Sequence, residues 1–574
     1  MERTSLLRLL WNQQNTRGFI SKEAIIEIAN LLDISTIEVE GVITFYHFFH
    51  LKPTGKYIIY LNNSIVSQFK GYENVKAAFE KETGCTFGKY CNDPIFSLFE
   101  TSCVGLSDQE PAALINFYPF TNLNSERVIS IIQDLKNNID VKTIACNPKS
   151  TIQYTPNEDK TVFFRDYFFG AAIKKLKKEN PENILKTISK VNLKGRGGAF
   201  FPTASKWEAC KKNSTTTKYI ICNADEGEPG TFKDKSIFEN FPGLVIEGMI
   251  IAAFVVGAKE GFIYLRAEYQ YLLQTIEDTI SKFYENNFLG EQICGIQNFN
   301  FNLKIQLGAG AYVCGEETAL IESLEGNRGE PRIRKYFPTD VGYLGKPTVV
   351  NNVETFANAA RIIELGTKYF ENIGTKKSKG TKLLSISGDV AKPGIYEIEW
   401  GMTIKELLYL CQATSPNYIQ ITGPSGECIN ESEFDRKICT EDLICGGAIM
   451  VFNKFRSIIE ILENFTKFFR SESCGICTPC RVGNQILFKK IQKLKKGLCS
   501  KTDLQEIENW GNIMKLTSRC GLGKTSSNTF STAIIKFSDY FNLKILKDND
   551  NPNVEFDMEN AIKDFDSVIK NNHH

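Results

Sequence analysis

The chain has 574 residues, enough for about four domains of ordinary size. Its 68 basic and 67 acidic side chains nearly cancel, so the charge does not point to a nucleic-acid or membrane-surface partner. No apolar run reaches the about 18 residues that a membrane span needs. The stretch 248–258 is predicted to be a buried helix, and the polar start at 1–4 lacks the apolar core of a signal peptide. These features predict a soluble, cytoplasmic protein.

Residues 1–140 are predicted to form a first domain. Helical periodicity at its start is followed by a strand at 57–61, a helix at 73–82 and a second strand at 95–100. Strands that alternate with helices are typical of a small α/β domain.

A central domain is predicted at 166–375, after a polar linker at 141–165. Its most unusual stretch is Lys194-Gly195-Arg196-Gly197-Gly198, where three glycines in four residues let the backbone approach a bulky ligand. Pro202 then sets the first turn of a predicted helix at 203–212. The free amides of a helix start can bind a phosphate or an electron-rich ring oxygen.

Three further loops of this domain are acidic or rich in amides. They lie at 223–230 after a predicted strand, at 308–317 after a strand at 298–307, and at 351–355. Polar groups that collect where strands end form the usual ligand site of an open α/β sheet. Each loop alone is also explained by solvated turns or helix caps. Together with the glycine-rich loop they predict one site, and none follows the dinucleotide pattern G-x-G-x-x-G of an ordinary nicotinamide pocket.

The remainder of the chain divides into a strand-rich and a helical part. Residues 381–455 have the size and element order of a β-grasp module, with no evident chemistry. Residues 456–545 are predicted to form a helical bundle, in which Thr502 and Gln505 suggest a capping box, and 546–574 form a C-terminal tail.

Four of the 17 cysteines stand apart from the others, which are mostly single residues in apolar surroundings. Cys474, Cys477 and Cys480 follow the spacing i, i+3, i+6, and Cys520 lies further on. This pattern suits three corners of a four-iron cluster closed by a distant fourth ligand. Structural zinc is the main alternative, but it prefers paired C-x-x-C knuckles, often with histidine, and no histidine is nearby in the sequence.

The N-terminal domain resembles the thioredoxin-like domain of the 24-kilodalton complex I subunits, through Gly55-Lys56-Tyr57 and the loop around Cys103. That family holds a two-iron cluster on four cysteines. The corresponding positions here are Asn62, Ser67, Cys103 and Ser107. Since one thiolate cannot hold such a cluster in the usual way, we expect a domain that has kept its shape and lost its cofactor.

The glycine-rich loop, the three polar loops and the four cysteines resemble the 51-kilodalton flavoprotein subunits of complex I, over about 165–540. The fusion of both domains, with the motifs at 45–49 and 105–111, narrows the resemblance to the alpha, or diaphorase flavoprotein, subunits of cytoplasmic NAD-reducing nickel–iron hydrogenases. The implied fold is an α/β multidomain one. It has a thioredoxin-like N-terminal domain, a Rossmann-like FMN domain, a β-grasp module and a C-terminal four-helix bundle that carries an iron–sulfur cluster.

The resemblance also implies the ligand-binding residues. FMN is expected on Gly195, Arg196, Gly197, Lys206, Asn223, Asp225, Glu226, Tyr312, Gly315, Glu316, Asn351, Asn352 and Thr355. NAD is expected near Phe201, Glu228, Glu317, Arg334 and Phe337, and one [4Fe–4S] cluster on Cys474, Cys477, Cys480 and Cys520. Two positions depart from the family: Phe200 replaces a usual glycine and is expected to narrow the ring pocket, and Arg334 replaces a usual lysine.

The implied reaction is hydride transfer between nicotinamide C4 and flavin N5, followed by single-electron transfer to the cluster. No side chain is required as an acid or base in the hydride step, so no catalytic residue is assigned. A partner that carries iron–sulfur clusters, and through it nickel–iron subunits, must take the electrons onward. Because Glu228 faces the adenosine ribose in this family, NADH is expected over NADPH.

Two other interpretations remain open at this point. One is a flavoprotein component of respiratory NADH dehydrogenase or of an NAD-dependent formate dehydrogenase. The other, from a different class, is a zinc-stabilised scaffold that binds a nucleotide without redox chemistry.

Overall fold

A computed structural model describes residues 1–91 and 93–546 of the chain. The predicted C-terminal tail therefore lies, from residue 547 onward, outside the described residues. Three sheets organise the described part: a four-stranded mixed sheet near the N-terminus, a four-stranded parallel sheet in the centre, and a six-stranded mixed sheet beyond it.

The N-terminal domain contains the predicted alternation of strands and helices. Its elements are α1 (Leu6–Arg17), α2 (Lys22–Leu32), α3 (Thr36–Phe45), β1 (Tyr57–Asn62), α4 (Ile65–Phe69), α5 (Tyr72–Thr83), β2 (Phe96–Thr101), β3 (Ala113–Ile115), β4 (Tyr118–Phe120) and α6 (Ser125–Lys136). The sheet order is β2-β1-β3-β4, with β1 parallel to β2 and antiparallel to β3. Helices α1–α3 share an apolar core with this sheet and with the central domain. Trp11 fixes that contact, because its indole N–H donates to the Gly308 carbonyl at 3.0 Å.

The segment predicted as a linker contains helix α7 (Val141–Ile144) and strand β5 (Ile152–Tyr154). Strand β5 pairs in parallel with an edge strand of the six-stranded sheet. Further along the segment, the buried carboxylate of Glu397 accepts the backbone N–H groups of Val162 and Phe163 at 2.7 and 3.0 Å. The segment is thus built into the sheet by backbone pairing and by a charge-assisted hydrogen-bond cluster.

The central domain is built on parallel strands with helices packed around them. Its elements are α8 (Ala171–Lys175), α9 (Pro181–Val191), α10 (Thr203–Lys212), β6 (Tyr219–Ala224), α11 (Lys233–Asn240), α12 (Pro242–Val256), β7 (Glu260–Leu265), α13 (Leu273–Glu285), β8 (Asn302–Leu307), α14 (Glu317–Leu324), β9 (Thr348–Asn352) and α15 (Val353–Leu365). The sheet order is β8-β7-β6-β9. All three pairings are parallel, so the carboxyl ends of the four strands lie at one edge.

Helix α12 contains residues 248–256 of the stretch 248–258 predicted to be a buried helix, ends at Val256, and lies in the core of the central domain. Among the described residues, no single helix is both long and apolar enough to span a membrane. Helices α11 and α12 meet that requirement of length and composition only as a pair, and they are bent by 98° relative to each other.

The strand-rich part forms most of the six-stranded sheet. Its elements are β10 (Thr381–Gly388), β11 (Gly394–Glu399), α16 (Ile404–Leu410), β12 (Pro416–Ile421), β13 (Glu427–Ile429) and β14 (Ala448–Asn453). The order is β13-β12-β14-β10-β11-β5, in which β10 and β14 are parallel neighbours at the centre. Helix α16 contributes Ile404 and Leu407 to the apolar core that covers one face.

The C-terminal part is helical, as predicted: α17 (Ile458–Glu472), α18 (Thr478–Lys495), α19 (Lys501–Thr517), α20 (Gly521–Thr525), α21 (Asn528–Lys536) and α22 (Ser538–Asn542). Helix α17 packs on α18, α18 on α19, and α19 on α21. The predicted capping box was wrong, because Ser500 and Asp503 form it instead of Thr502 and Gln505. Helix α19 begins two residues earlier than the Thr502 cap requires, since Ser500 offers an equivalent hydroxyl.

Candidate active site

The glycine-rich loop and the carboxyl ends of two neighbouring strands meet at one edge of the parallel sheet. Asn223 at the end of β6 is the register partner of Asn352 at the end of β9. The Arg196 backbone N–H donates to the Thr355 hydroxyl at 2.9 Å, which ties the glycine-rich loop to the start of α15. A Cβ added at Gly197 would lie 3.2 Å from the Asn352 side chain. The predicted convergence of these loops is therefore present in the structure.

The loop after β8 joins the same site through side chains on α10 and β6. The Asn223 amide donates to the Gly315 carbonyl at 2.8 Å. The Lys206 ammonium donates to Glu317 at 3.0 Å and to the Val350 carbonyl at 3.0 Å. A residue expected to bind FMN and one expected near NAD are thus joined by an ion pair. Asn351 is held in the same region, because it accepts the N–H of the Trp207 indole at 2.8 Å.

The site offers space and unused polar atoms of the kind that FMN requires. No atom lies within 4 Å of a Cβ placed on Gly198, whose φ of +105° favours glycine, and a Cβ on Gly195 would meet its nearest neighbour only at 3.7 Å. Among the described residues, Arg196 Nε, Thr203 Oγ1 and Asp225 Oδ2 are buried without a hydrogen-bond partner. A ligand with phosphate oxygens and hydroxyl groups would satisfy such donors and acceptors, so these residues fit FMN.

Two acidic residues in the expected FMN set are already engaged by the protein. The Glu226 carboxylate accepts the backbone N–H groups of Asp234 and Lys235 at the start of α11, at 2.8 and 3.1 Å. Burial raises the pKa of Glu226 to about 7. Glu316 caps α14 by accepting the N–H of Thr318 at 2.9 Å. Both carboxylates therefore shape the loops around the site, and each accepts backbone N–H groups at the start of a helix.

Asp225 and Glu228 differ from them in environment. Burial raises the pKa of Asp225 to about 8 and that of Glu228 to about 7. The Glu228 carboxylate accepts the Tyr312 hydroxyl at 2.5 Å and the Ser425 backbone N–H at 2.8 Å. Glu228 is thereby fixed between the central domain and the six-stranded sheet, and each oxygen keeps a further lone pair for a ligand.

The two aromatic residues expected near NAD are exposed. Phe201 is 53% exposed and Phe337 is 65% exposed. The Arg334 guanidinium lies 3.6 Å from Glu316, in a loop whose neighbours are also open to solvent. Exposed aromatic rings beside a buried polar site are suited to stacking on a ligand that enters from solvent.

Phe200 occupies a backbone conformation that explains why glycine is usual at this position. Its φ is +51°, in the left-handed region where a side chain costs about 1 kcal/mol relative to glycine. Its ring packs edge-on to Trp400 with centroids 6.3 Å apart, against the core of the six-stranded sheet. This contact directs the ring to the six-stranded sheet.

The six-stranded sheet contributes residues that the sequence did not indicate. The Arg196 guanidinium lies 4.9 Å from the Trp400 ring, close enough for a cation–π contact. Ser425 donates its backbone N–H to Glu228, and the Lys382 ammonium pairs with Glu354 at the start of α15. No local motif marks these residues, because their partners are hundreds of positions away or lie in another domain.

The four C-terminal cysteines lie together with the loop that follows β8. Cys480 and Cys520 belong to one apolar cluster with Val313 and Phe469, and Cys474 and Cys477 pack against it. Burial raises the pKa of the Cys480 and Cys520 thiols to about 12 and about 11. Within residues 1–91 and 93–546, no three His, Cys, Asp or Glu side chains are placed to hold a single metal ion.

Tyr312 and Glu472 connect the cysteine region to the other domains. The Tyr312 ring lies 4.9 Å from that of Phe468 on α17. Glu472, at the end of α17, accepts the Tyr312 backbone N–H at 3.0 Å and the Ser102 hydroxyl at 3.1 Å. The N-terminal domain, the central domain and the helical part therefore meet at Glu472, which is two residues before Cys474.

The positions that correspond to a two-iron site in the N-terminal domain are filled by a buried polar cluster. Asn62, Ser67, Cys103 and Ser107 are all buried. Cys103 Sγ lies 3.9 Å from Ser107 Oγ, and Asn62 donates to Glu110. Burial raises the pKa of Glu110 to about 8. Within the part of the chain that the structure describes, Ser67 Oγ and one carboxyl oxygen of Glu110 are buried there without a hydrogen-bond partner.

Comparison with known proteins agrees with this layout. Three family models match: the Thioredoxin-like [2Fe-2S] ferredoxin at 1–136, the Nuo51 FMN-binding domain at 188–361, and the NADH-ubiquinone oxidoreductase-F iron-sulfur binding region at 460–544. A component of the NADH-quinone oxidoreductase of Aquifex aeolicus is 39% identical, over 64% of this chain and 87% of its own length.

Two further matches extend over nearly the whole chain. NAD-reducing hydrogenase HoxS subunit alpha of Cupriavidus necator is 42% identical, over 99% of this chain and 96% of its own. A chain in the crystal structure of NAD+-reducing [NiFe]-hydrogenase in the H2-reduced state is 34% identical, with a TM-score of 0.89 over 98% of this chain and 96% of that one. The chain therefore belongs to the family of alpha subunits of NAD-reducing hydrogenases.

Proposed function

We propose that this chain is the diaphorase subunit of an NAD-reducing hydrogenase, which exchanges hydride with NAD(H) through FMN and passes electrons through one [4Fe–4S] cluster. The observation that carries the proposal is the shared apolar cluster of Val313, Phe469, Cys480 and Cys520. It joins the loop after β8 (residues 308–317, the flavin loop) to the cysteines. FMN on one side of this contact and the cluster on the other would be separated only by packed side chains. Full-length similarity to the HoxS alpha subunit supports the assignment.

The protein residues bind and orient the carriers, and no side chain acts as an acid or base in hydride transfer. When bound, FMN supplies a carrier that takes two electrons as hydride and releases them singly. The glycine-rich loop, Lys206, Asn223, Asp225 and Thr355 would hold it. The exposed rings of Phe201 and Phe337 would receive the nicotinamide nucleotide, together with Glu228 and Glu317.

The sequence spacing of the cysteines, i, i+3, i+6 with a distant fourth, favours a cluster over structural zinc. Zinc needs four ligands that converge on one atom, whereas a four-iron cube separates its ligands around a larger body. Cys474 and Cys477 are partly exposed, and Cys480 and Cys520 are buried toward the flavin loop. We therefore assign exchange of electrons with FMN to the buried side of the cluster and exchange with an iron–sulfur partner subunit to the exposed side, where that subunit would dock.

We propose that 381–455 is a β-grasp module extended by β5, and that α17, α18, α19 and α21 form the four-helix bundle. The partner set is an iron–sulfur diaphorase subunit and, through it, nickel–iron subunits, in the cytoplasm. A role in respiratory NADH dehydrogenase is a weaker candidate, because the Aquifex oxidoreductase component matches only 64% of this chain.

Reduction of the purified complex by NADH tests the proposal directly. We expect a flavin absorption band near about 450 nm that NADH bleaches under anaerobic conditions. Iron analysis of the isolated chain should also find four-iron stoichiometry. A preparation that carries zinc and no flavin would favour the nucleotide-binding scaffold.

Iron in the N-terminal domain is a separate prediction. Because Asn62, Ser67 and Ser107 are not thiolates, the full chain should contain iron and acid-labile sulfide for one four-iron cluster only. Cys103→Ser should leave that content and the spectrum of the reduced protein unchanged. Loss of a distinct paramagnetic signal in Cys103→Ser would show that a second cluster is present.

A further inference from the structure

The six-stranded sheet reaches the flavin site with a buried lysine. Lys382 lies on β10, is fully buried, and pairs with the equally buried Glu354. Glu354 is the second residue of α15, between Asn352 and Thr355, both expected to bind FMN. The module at 381–455, for which the sequence indicates no chemistry, thus contributes a positive charge that pairs with the residue between Asn352 and Thr355.

The ion pair continues into a network that ends on an FMN residue. Lys233 lies 3.1 Å from Glu354 and 2.6 Å from Asp234. Asp234 in turn accepts the Asn352 amide at 2.6 Å. Lys233, Asp234, Glu354 and Lys382 are each at most 2% exposed. Charges so deeply buried are screened little by salt, so their fields reach neighbouring groups.

Other charged groups face the same network. Arg196 in the glycine-rich loop is 4% exposed and acts on Glu354, whose pKa is lowered by Lys382, Lys233 and Arg196 against the opposing effect of burial. Glu226 caps α11 beside Asp234. Burial lowers the pKa of Lys382 to about 8, with Lys233 and Arg196 adding to the shift and Glu354 opposing it.

A buried network of this kind is costly compared with an apolar core, and removal of one partner leaves an uncompensated charge. Because the network lies beside residues expected to bind FMN, we infer that it does more than pack the six-stranded sheet against the central domain. Whatever its total charge, loss of the Lys382 ammonium makes the network one unit more negative. A more negative environment disfavours a carrier that gains electrons, since the added charge is less well stabilised in a low-dielectric site.

We propose that Lys382 is a positioning residue of the flavin site. It holds Glu354 in place, and through Glu354 it positions Asn352 at the end of β9 and Arg196 in the glycine-rich loop. Its positive charge raises the tendency of bound FMN to accept electrons. The inference rests on the proposed function, because it concerns the flavin that this function requires. It assigns the six-stranded sheet a part in setting the redox potential.

Redox titration of flavin in the purified complex tests the inference. In Lys382→Met, half-reduction should require an NADH:NAD+ ratio about ten-fold higher than in the wild type, equivalent to ~30 mV for a two-electron couple. Lys382→Arg should stay close to the wild type. Lys235→Met is the matched control, because Lys235 is a buried lysine on α11 that contacts Glu239 and the Pro148 carbonyl instead.

A double variant separates charge from packing. Lys382→Met with Glu354→Gln removes both charges of the pair, so the potential should return toward the wild-type value even if stability does not. An unchanged potential in Lys382→Met, or an equal shift in Lys235→Met, would overturn the inference. A wild-type complex without flavin would instead overturn the proposed function, which keeps the two failures distinct.

Discussion

Replacing Cys477 with serine is expected to leave reduction of the flavin by NADH intact and to block electron exit. Cys477 is partly exposed at the start of α18, where the substitution changes little packing. Loss of an outer-shell partner lowers the metal affinity or activity of metal sites by about 10- to 100-fold, and loss of a thiolate ligand should lower the activity by more than that. NADH-driven electron transfer to the partner subunits of the assembled complex should fall by at least that factor, while stopped-flow bleaching of the flavin by NADH keeps its rate.

Cys499→Ser is the matched control for this experiment. Cys499 is a buried cysteine of the same helical region, outside the predicted ligand set. It should retain both activities. If Cys477→Ser lost flavin reduction and electron exit equally, while it kept its fold and its flavin, the assigned order of carriers would be wrong.

Glu228→Gln is expected to weaken the preference for NADH over NADPH. A carboxylate about 4 Å from a 2′-phosphate charge costs from roughly 1 kcal/mol in water to about 4 kcal/mol at an effective dielectric of 20. The corresponding discrimination is about five-fold to several hundred-fold, and the variant should lose it mainly by improving kcat/KM for NADPH. Arg334 opposes the effect, since a guanidinium binds phosphate well. An unchanged ratio of kcat/KM values would exclude Glu228 as the selector.

The burial of Glu228 adds a pH dependence to this prediction. Burial raises its pKa to about 7, so the group is neutral below that pH and charged above it. Discrimination against NADPH should therefore be weaker at about pH 6 than at about pH 8, and Glu228→Gln should flatten the difference. Tyr312→Phe, which removes one hydrogen-bond partner and keeps the carboxylate, should still prefer NADH.

Local sequence signals predicted the scaffold of the site well. The helix predicted at 203–212 is α10, because Pro202 and the residues after it act within one turn. The polar loops at 223–230 and 351–355 converge because the strands before them, β6 and β9, are parallel and adjacent. Such local signals could not predict contacts between residues that are distant in the sequence. Nothing local indicates that Glu226 turns toward the amides of α11, or that Trp400 covers Arg196.

The connection between the first two domains was the least predictable part. Proline and polar composition at 141–165 indicates a linker, and composition does not register the three-residue strand β5 or its partner β11. Strand pairing of this kind depends on a sheet edge that is formed more than 200 residues later in the sequence.

The strand β5 and the Glu397 contacts limit how the N-terminal domain can move. A tethered domain on a free linker would swing, and proteases would cut its tether first. Here the backbone of the tether is part of a sheet, and three of its amides, including that of Phe164, are held by one carboxylate. The N-terminal domain is therefore held in a fixed position relative to the six-stranded sheet. Limited proteolysis should release it no faster than that sheet itself unfolds.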